Sequence, residues 1–280
     1  MSAAQIQEGI WKPPGTDRTL GYRLWRPANA RGLLVVVHGF AEHGGRYQPF
    51  AEVLAAKGFA VACPDLWGHG RSGGARGDVE RFEWYLDDLE GMTRDLFLPN
   101  TGLSKMAVFG HSMGGLIALH WALRSPEAMR ALVLQSPFFG AGFRVPQWKE
   151  SLRLLLQGWW PAFAIPLGIQ PAWLSHDPMI IKRYQTDPLV HRQITVRAYG
   201  AIQDAILQAS TYAVRLRVPT LVLTGDEDHL ISLEACARVV QRFTCEHRVV
   251  HFPGAYHELH HEAVREQVVA DVAQWIEAHV

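Results

Sequence analysis

Short apolar runs of strand length recur along the chain, separated by longer stretches with helical spacing. Residues 33–37, 59–63, 106–109, 131–135 and 220–224 are the clearest of these runs, each closed by polar, Gly or Pro residues, and residues 248–252 are a further predicted strand. An apolar run that does not alternate is the pattern of a strand buried on both faces. Two earlier segments, residues 9–12 and 20–26, flank a Pro-Pro-Gly-Thr-Asp turn and are also predicted strands. Helices are predicted over 47–57, stopped by Gly58, over 82–98 before Pro99, and over 116–123, 232–243 and 262–279. Strands alternating with helices predict an α/β fold with a mostly parallel central sheet flanked by helices on both faces. The alternation stops after Ser136-Pro137 and resumes at Thr220. The intervening segment carries prolines, tryptophans and short helical patterns, and no strand is expected in it. This divides the chain into a core, residues 1–137 and 218–280, and an inserted, mainly helical cap, residues 138–217.

Composition narrows the classes of function. A chain of 280 residues with 48% hydrophobic content can bury one large α/β core plus an insertion. Lys plus Arg equals Asp plus Glu, 27 of each, so no basic field recruits nucleic acid. Among 14 scattered histidines, His257, His260 and His261 cluster. On the reading that cysteine neighbours and zinc-protease spacing are lacking there, no metal and no cofactor are expected. Three cysteines, Cys63, Cys236 and Cys245, form no close pair, which favours a reducing compartment. The first residues lack an apolar stretch after a basic start, and no apolar run approaches the roughly 20 residues of a membrane span. A cytoplasmic protein is expected, with peripheral membrane contact through the cap left open; no oligomeric state follows from the sequence.

The chemistry-bearing stretch is Gly110-His111-Ser112-Met113-Gly114, a G-x-S-x-G sequence between a predicted strand and a predicted helix. That is the context of a nucleophile elbow. A sharp turn would hold Ser112 in a strained conformation, and the flanking glycines would let strand and helix approach without a Cβ clash. Ser112 Oγ would sit near the positive end of the helix, and the Met113 N–H would face an oxyanion. His111 is a poor base for its neighbour, because adjacent side chains on such a turn point apart; packing is its expected role. The glycine-rich segment 68–74 lacks both the Walker lysine and the G-x-G-x-x-G order, and reads as a structural loop.

In a doubly wound sheet, functional loops gather at the carboxyl ends of strands. Two later strands lead into an acid and a histidine: Gly225-Asp226-Glu227-Asp228 after one, and Ala255-Tyr256-His257-Glu258 after the other. The order serine, aspartate, histidine is the α/β-hydrolase order.

The chain resembles the monoacylglycerol lipase and lysophospholipase family of α/β-hydrolases along nearly its whole length, least in the cap. His38-Gly39-Phe40-Ala41-Glu42-His43-Gly44-Gly45-Arg46-Tyr47 is similar to that family's H-G-x-x-E-H-x-x-R-Y, and residues 65–72 to its D-x-x-G-H-G-x-S. Gly110 to Gly115, Gly225 to Asp228 and Tyr256 to Leu259 match G-H-S-M-G-G, G-x-x-D and Y-H-x-L. The resemblance implies Ser112 as nucleophile, Asp228 rather than Asp226 as the acid, and His257 as the base. It implies an oxyanion hole from the backbone N–H groups of Met113 and Phe40, the latter larger than the small residue often found there. Glu42, Arg46 and His260 are implied to bind a hydroxylated leaving group; an ion pair that fixes the loop is the alternative for Glu42 and Arg46. The implied function is cleavage of a lipid-like carboxylic ester, foremost monoacylglycerol to fatty acid and glycerol, through an acyl-enzyme. A lysophospholipase, with Arg46 or Arg71 facing the phosphate, and a short-chain carboxylesterase are alternatives, and a ligand-binding receptor on the same fold is the non-enzyme alternative.

The predicted cap is rich in apolar residues at 152–156 and 158–166, flanked by Trp148 and Trp173. An acyl-binding tunnel, a docking face for a membrane and plain core are the three uses of such a segment. Asp177-Pro178 and Asp187-Pro188 read as turns without chemistry.

Overall fold

A computed structural model describes residues 4–144 and 147–280, leaving the side chains of Lys149 and Leu152 outside the description. Its strands are β1 (Gln5–Trp11), β2 (Leu20–Arg26), β3 (Gly32–Val37), β4 (Phe59–Pro64), β5 (Met106–His111), β6 (Met129–Gln135), β7 (Ala164–Pro166), β8 (Gln193–Thr195), β9 (Thr220–Gly225) and β10 (His247–Phe252). Eight of them form one sheet in the order β1-β2-β4-β3-β5-β6-β9-β10. β1 and β2 pair antiparallel, as do β2 and β4; from β4 through β3, β5, β6 and β9 to β10 every pairing is parallel.

The unbroken apolar runs have a direct cause in this arrangement. Along β3, Leu33, Val35 and Val37 enter the core on one face of the sheet, and Leu34 and Val36 enter the core on the other. Helices α1 (Gln48–Ala56) and α9 (Arg265–His279) cover the second face through Phe50, Leu54, Val268 and Val272. The first is covered by α2 (Glu83–Met92), α4 (Met113–Arg124), α7 (Val196–Tyr212) and α8 (Leu233–Val240). The helix expected to stop before Pro99 instead passes through it. A π-helical stretch, Thr93–Phe97, lies between α2 and the short α3 (Leu98–Thr101), whose second residue is Pro99. Gly102, in the left-handed conformation at φ 69°, ends it.

Between β6 and β9 the chain leaves the sheet and forms α5 (Gln147–Leu156), α6 (Pro178–Thr186) and α7. This segment also contains strands, contrary to the expectation: β7 and β8 pair antiparallel as a separate ladder. Each is only three residues long, too short to alternate visibly in sequence. The insertion is tied to the core by Thr195 N–H to Gly77 O (3.0 Å), His191 N–H to Ala41 O (3.1 Å) and Glu258 N–H to Leu174 O (2.8 Å). Among the described residues, no helix is long and apolar enough to cross a membrane.

Candidate active site

Four parallel strands deliver the predicted residues to one edge of the sheet. β5 leads into Ser112, whose backbone takes φ 55° and ψ −120°, an uncommon conformation for a residue with a Cβ. Such a conformation costs on the order of 1–3 kcal/mol and persists only where surroundings over-determine it. They do so here. Ser112 N–H donates to Gln135 O (3.0 Å), and Ser112 O accepts from Phe138 and Gly115 N–H, both at 2.9 Å. The glycines permit the crossing: a Cβ on Gly114 would lie 2.1 Å from Val37 O, and one on Gly110 would lie 2.4 Å from Gly114 O.

β9 and β10 supply the second half. His257 Nδ1–H donates to Asp228 Oδ2 at 2.8 Å, with both side chains buried. Asp228 Oδ1 accepts two backbone N–H groups, from Leu230 (2.8 Å) and Ile231 (3.1 Å). Burial pulls the His257 pKa down, but the Asp228 carboxylate outweighs it and holds it above the ordinary histidine value. Burial pushes Asp228 up, and the His257 charge and hydrogen bonds outweigh that, holding it below the usual carboxylate value. Asp226 is exposed and accepts Gly254 N–H, which ties the two strand-end loops together. His111 lies beside His257, ring centroids 4.6 Å apart, and accepts from Gln135 Nε2 (3.0 Å). Burial, then the neighbouring His257, push its pKa down to about 4. Gln135 Nε2 also reaches His260 Nδ1 at 2.9 Å, so one amide orients both rings.

β3 leads into His38-Gly39-Phe40. Among the described residues, neither the Phe40 N–H nor the Met113 N–H has a hydrogen-bond partner. Both residues line a cavity of about 510 Å³, together with Ser112 and His257. The Ser112 Oγ to His257 Nε2 hydrogen bond is not formed in this geometry, as is common before a substrate tightens such a site. The rest of the cavity wall is largely apolar, including Phe138, Phe143, Ile165, Leu167, Ile202 and Leu230. From the apolar run 158–166, Ile165 and Pro166 line the cavity, as does Trp173. Trp159 and Trp160 instead face outward, 91% and 61% exposed.

Glu42 and Arg46 also line the cavity, with a residue whose partnership sequence reasoning missed, Glu258. Arg46 Nη1 donates to Glu42 Oε2 (2.6 Å) and to Glu258 Oε1 (2.6 Å), and its Nη2 donates to Glu258 Oε2 (2.8 Å). Glu42 Oε1 accepts Gly39 N–H (2.6 Å) and Tyr47 Oη–H (2.8 Å). Glu258 stands within the Tyr256–Leu259 motif, but its partner lies 212 positions earlier, a pairing no local pattern reveals. Burial pushes both carboxyl groups up, and the Arg46 charge outweighs it, leaving Glu42 below and Glu258 well below the usual value. His260 does not line the cavity; it is buried and stacks on Tyr47 at 4.6 Å. In the glycine-rich segment, Asp65 accepts Gly44 N–H (2.7 Å) and Arg71 N–H (2.8 Å), which gives that loop a structural occupation. Arg71 Nη1 pairs with Glu8 (2.5 Å) outside the cavity.

One sequence reading needs correction. Residues 257–261 do spell H-E-x-x-H, although zinc-protease spacing was expected to be lacking. They lie in a turn and a short 3-10 helix, Leu259–His261, rather than on an α-helix. His257 Nδ1 is committed to Asp228, Glu258 to Arg46, and both His261 nitrogens to Glu258 Oε2 (2.8 Å) and Arg46 O (3.2 Å). No group of three or more His, Cys, Asp or Glu placed to hold a metal occurs among the described residues.

A mostly parallel eight-stranded sheet of this order, with its strained serine between β5 and α4, defines an α/β-hydrolase. The chain belongs to the family described as serine aminopeptidase, S33, which it matches over residues 28–264. It is 32% identical over 270 residues to a monoacylglycerol lipase of Mycolicibacterium smegmatis, covering 92% of this chain and 93% of that one. It is 27% identical over 253 residues to a phospholipase of Bacillus subtilis, covering 87% and 94%. The crystal structure of a Paleococcus ferrophilus monoacylglycerol lipase superposes with a TM-score of 0.85 at 29% identity, covering 95% of this chain and all of that one. The chain is thus an enzyme, a carboxylic ester hydrolase of the monoacylglycerol lipase-like group.

Proposed function

We propose that the protein hydrolyses monoacylglycerol to fatty acid and glycerol through an acyl-enzyme on Ser112. The observation that carries this reading is the convergence of a strained serine, a His257–Asp228 pair and two unpartnered backbone N–H groups on one largely apolar cavity. Ser112 Oγ attacks the ester carbonyl while His257 Nε2 takes its proton, and Asp228 fixes the Nδ1–H tautomer and stabilises the imidazolium. The carbonyl oxygen becomes an oxyanion between the Phe40 and Met113 N–H groups, each such donor being worth about 3–4 kcal/mol. The tetrahedral intermediate then expels the glycerol oxygen, protonated by His257, and leaves the acyl group on Ser112. Water, deprotonated by His257, reverses the sequence and releases the acid. None of these steps calls for a cofactor.

Glu42 and Arg46 form the polar part of the wall on the side of the leaving alcohol, held as an ion pair that fixes the loop rather than as ligands of the alcohol. His260 acts there through Gln135 and Tyr47 rather than by contact. Of the rival substrates, a lysophospholipid fits less well at Arg46, which is already shared by two carboxylates and has little left to offer a phosphate. Residues 138–217 serve as the cap over an acyl site, and exposed Trp159, Trp160 and Leu155 give it a face for peripheral docking at a lipid surface. The test is turnover of monoacylglycerols of several chain lengths, lysophosphatidylcholine and a short-chain aryl ester by wild type and Ser112→Ala. Ser112-dependent turnover that favours monoacylglycerol is expected. Turnover confined to the aryl ester would remove the lipid assignment, and binding without turnover would support a receptor.

A further inference from the structure

Three charged side chains, Glu42, Arg46 and Glu258, are buried side by side, each with no more than 7% of its side chain exposed. Burying such a set is expensive, and an apolar cluster of the same volume would serve stability as well or better. Its connections are therefore informative. On one side, Glu42 holds the Gly39 N–H, one residue before the Phe40 donor and two before Ala41, which takes a left-handed φ of 68°. On the other, Glu258 follows His257 directly, and its carboxylate chelates Arg46 through two hydrogen bonds. The cap joins from above: Tyr184 lies 5.0 Å over the Arg46 guanidinium, and Leu174 O accepts the Glu258 N–H. Both Arg46 Nη1 protons and one Nη2 proton are spent inside the cluster, so most of its polar capacity faces itself rather than a ligand.

We propose that Arg46 is a positioning residue, gripped by Glu42 and Glu258, that locks the oxyanion-hole loop and the His257 loop in one register. Glu258 holds the histidine side of that grip. Catalysis needs the two backbone donors and the imidazole to meet the same tetrahedral centre, yet they come from loops 217 positions apart in the chain, residues 40 and 257. A guanidinium held in bidentate fashion fixes orientation as well as distance, which a lysine would not. The inference rests on the proposed acyl-enzyme reading, and it differs from leaving-group binding in what it predicts for substrates without glycerol.

The test compares wild type, Glu258→Gln, Glu42→Gln and the double variant on a monoacylglycerol and on the 4-nitrophenyl ester of the same acid. Each single variant should lower kcat by about 10- to 100-fold on both esters, as slight misplacement of reacting groups does, with KM within about twofold. The double variant should lose less than the product of the two, because both act through Arg46. The groups that face His257 are Asp228, Glu42 and Glu258, which favour its protonation, and His111, which opposes it. Removing the Glu258 charge should therefore move the acid limb of kcat/KM to lower pH. A loss confined to the monoacylglycerol would assign the cluster to leaving-group binding and overturn the proposal, as would unchanged kinetics on both esters. Multiplicative losses in the double variant would overturn it too. Should Glu258→Gln fail to fold, Glu42→Gln alone carries the two-ester comparison. Absence of ester turnover by wild type, or its survival in Ser112→Ala, would instead mark failure of the underlying reading.

Discussion

Replacing Asp228 by asparagine changes one atom and reverses the logic of the site. The aspartate has two tasks in the structure: Oδ1 accepts the Leu230 and Ile231 N–H groups, and Oδ2 accepts His257 Nδ1–H at 2.8 Å. Asparagine keeps the first task by aiming its carbonyl oxygen at the two N–H groups. Its NH₂ then faces Nδ1, which must become an acceptor, so the proton moves to Nε2 and the ring can no longer take one from Ser112. The charge that raises the His257 pKa disappears as well. In serine proteases, the corresponding change costs about 10⁴ in kcat, near 5.5 kcal/mol of transition-state stabilisation. We expect a similar loss here, with thermal stability changed little because the backbone hydrogen bonds survive. The assay is kcat on an aryl ester between pH 6 and 9, beside Asp226→Asn as the internal control. Asp226 is exposed and bonded to Gly254 N–H, so its replacement should leave kcat within about threefold on the scale of a lost surface contact. A loss below tenfold for Asp228→Asn, or a larger loss for Asp226→Asn, would refute the assignment.

Three further outcomes follow from the geometry. Since neutral His257 is the active form and its pKa is raised above 6.5, kcat/KM should fall as pH decreases through a midpoint above 6.5; a midpoint below 6 in the pH–rate profile would contradict the Asp228 pairing. Gly114→Ala should destabilise the fold by about 3 kcal/mol or more in urea unfolding, because the new Cβ meets the Val37 carbonyl, a backbone atom that cannot turn aside. Substituting Trp159 and Trp160 by serine should weaken sedimentation with phospholipid vesicles by about tenfold or more while sparing turnover of a soluble short ester, since both rings face solvent; equal vesicle binding would remove the docking face.

The sequence was most informative where local physics dictates the residue. Runs such as Leu33 to Val37 announce strands buried on both faces, and only glycine at 110 and 114 lets the elbow close. Phe40 and Met113 belong to short motifs far apart in the chain, and both line the cavity beside Ser112. What escaped was of two kinds. The β7–β8 ladder was too short to leave a period. The grip of Glu42 and Glu258 on Arg46 joins distant positions, so Glu258 looked like an ordinary charge in a motif. Composition likewise could not tell which tryptophans would line the cavity: Trp173 does, whereas Trp159, from an equally apolar stretch, points away from the protein. The H-E-x-x-H order at 257–261 is a reminder that spacing acquires chemical meaning only on the right element; here it spans a turn and a 3-10 helix.

The central claim is that the acyl group passes through Ser112, and peptide mapping after an acid quench tests it most directly. With a 4-nitrophenyl ester, the fast-leaving phenolate lets acylation outrun deacylation, so the intermediate accumulates during turnover. The account predicts one acyl group per chain, carried by the peptide that contains Ser112 and lost from Ser112→Ala together with activity. Full turnover with the acyl group on another residue, or with none bound, would contradict it.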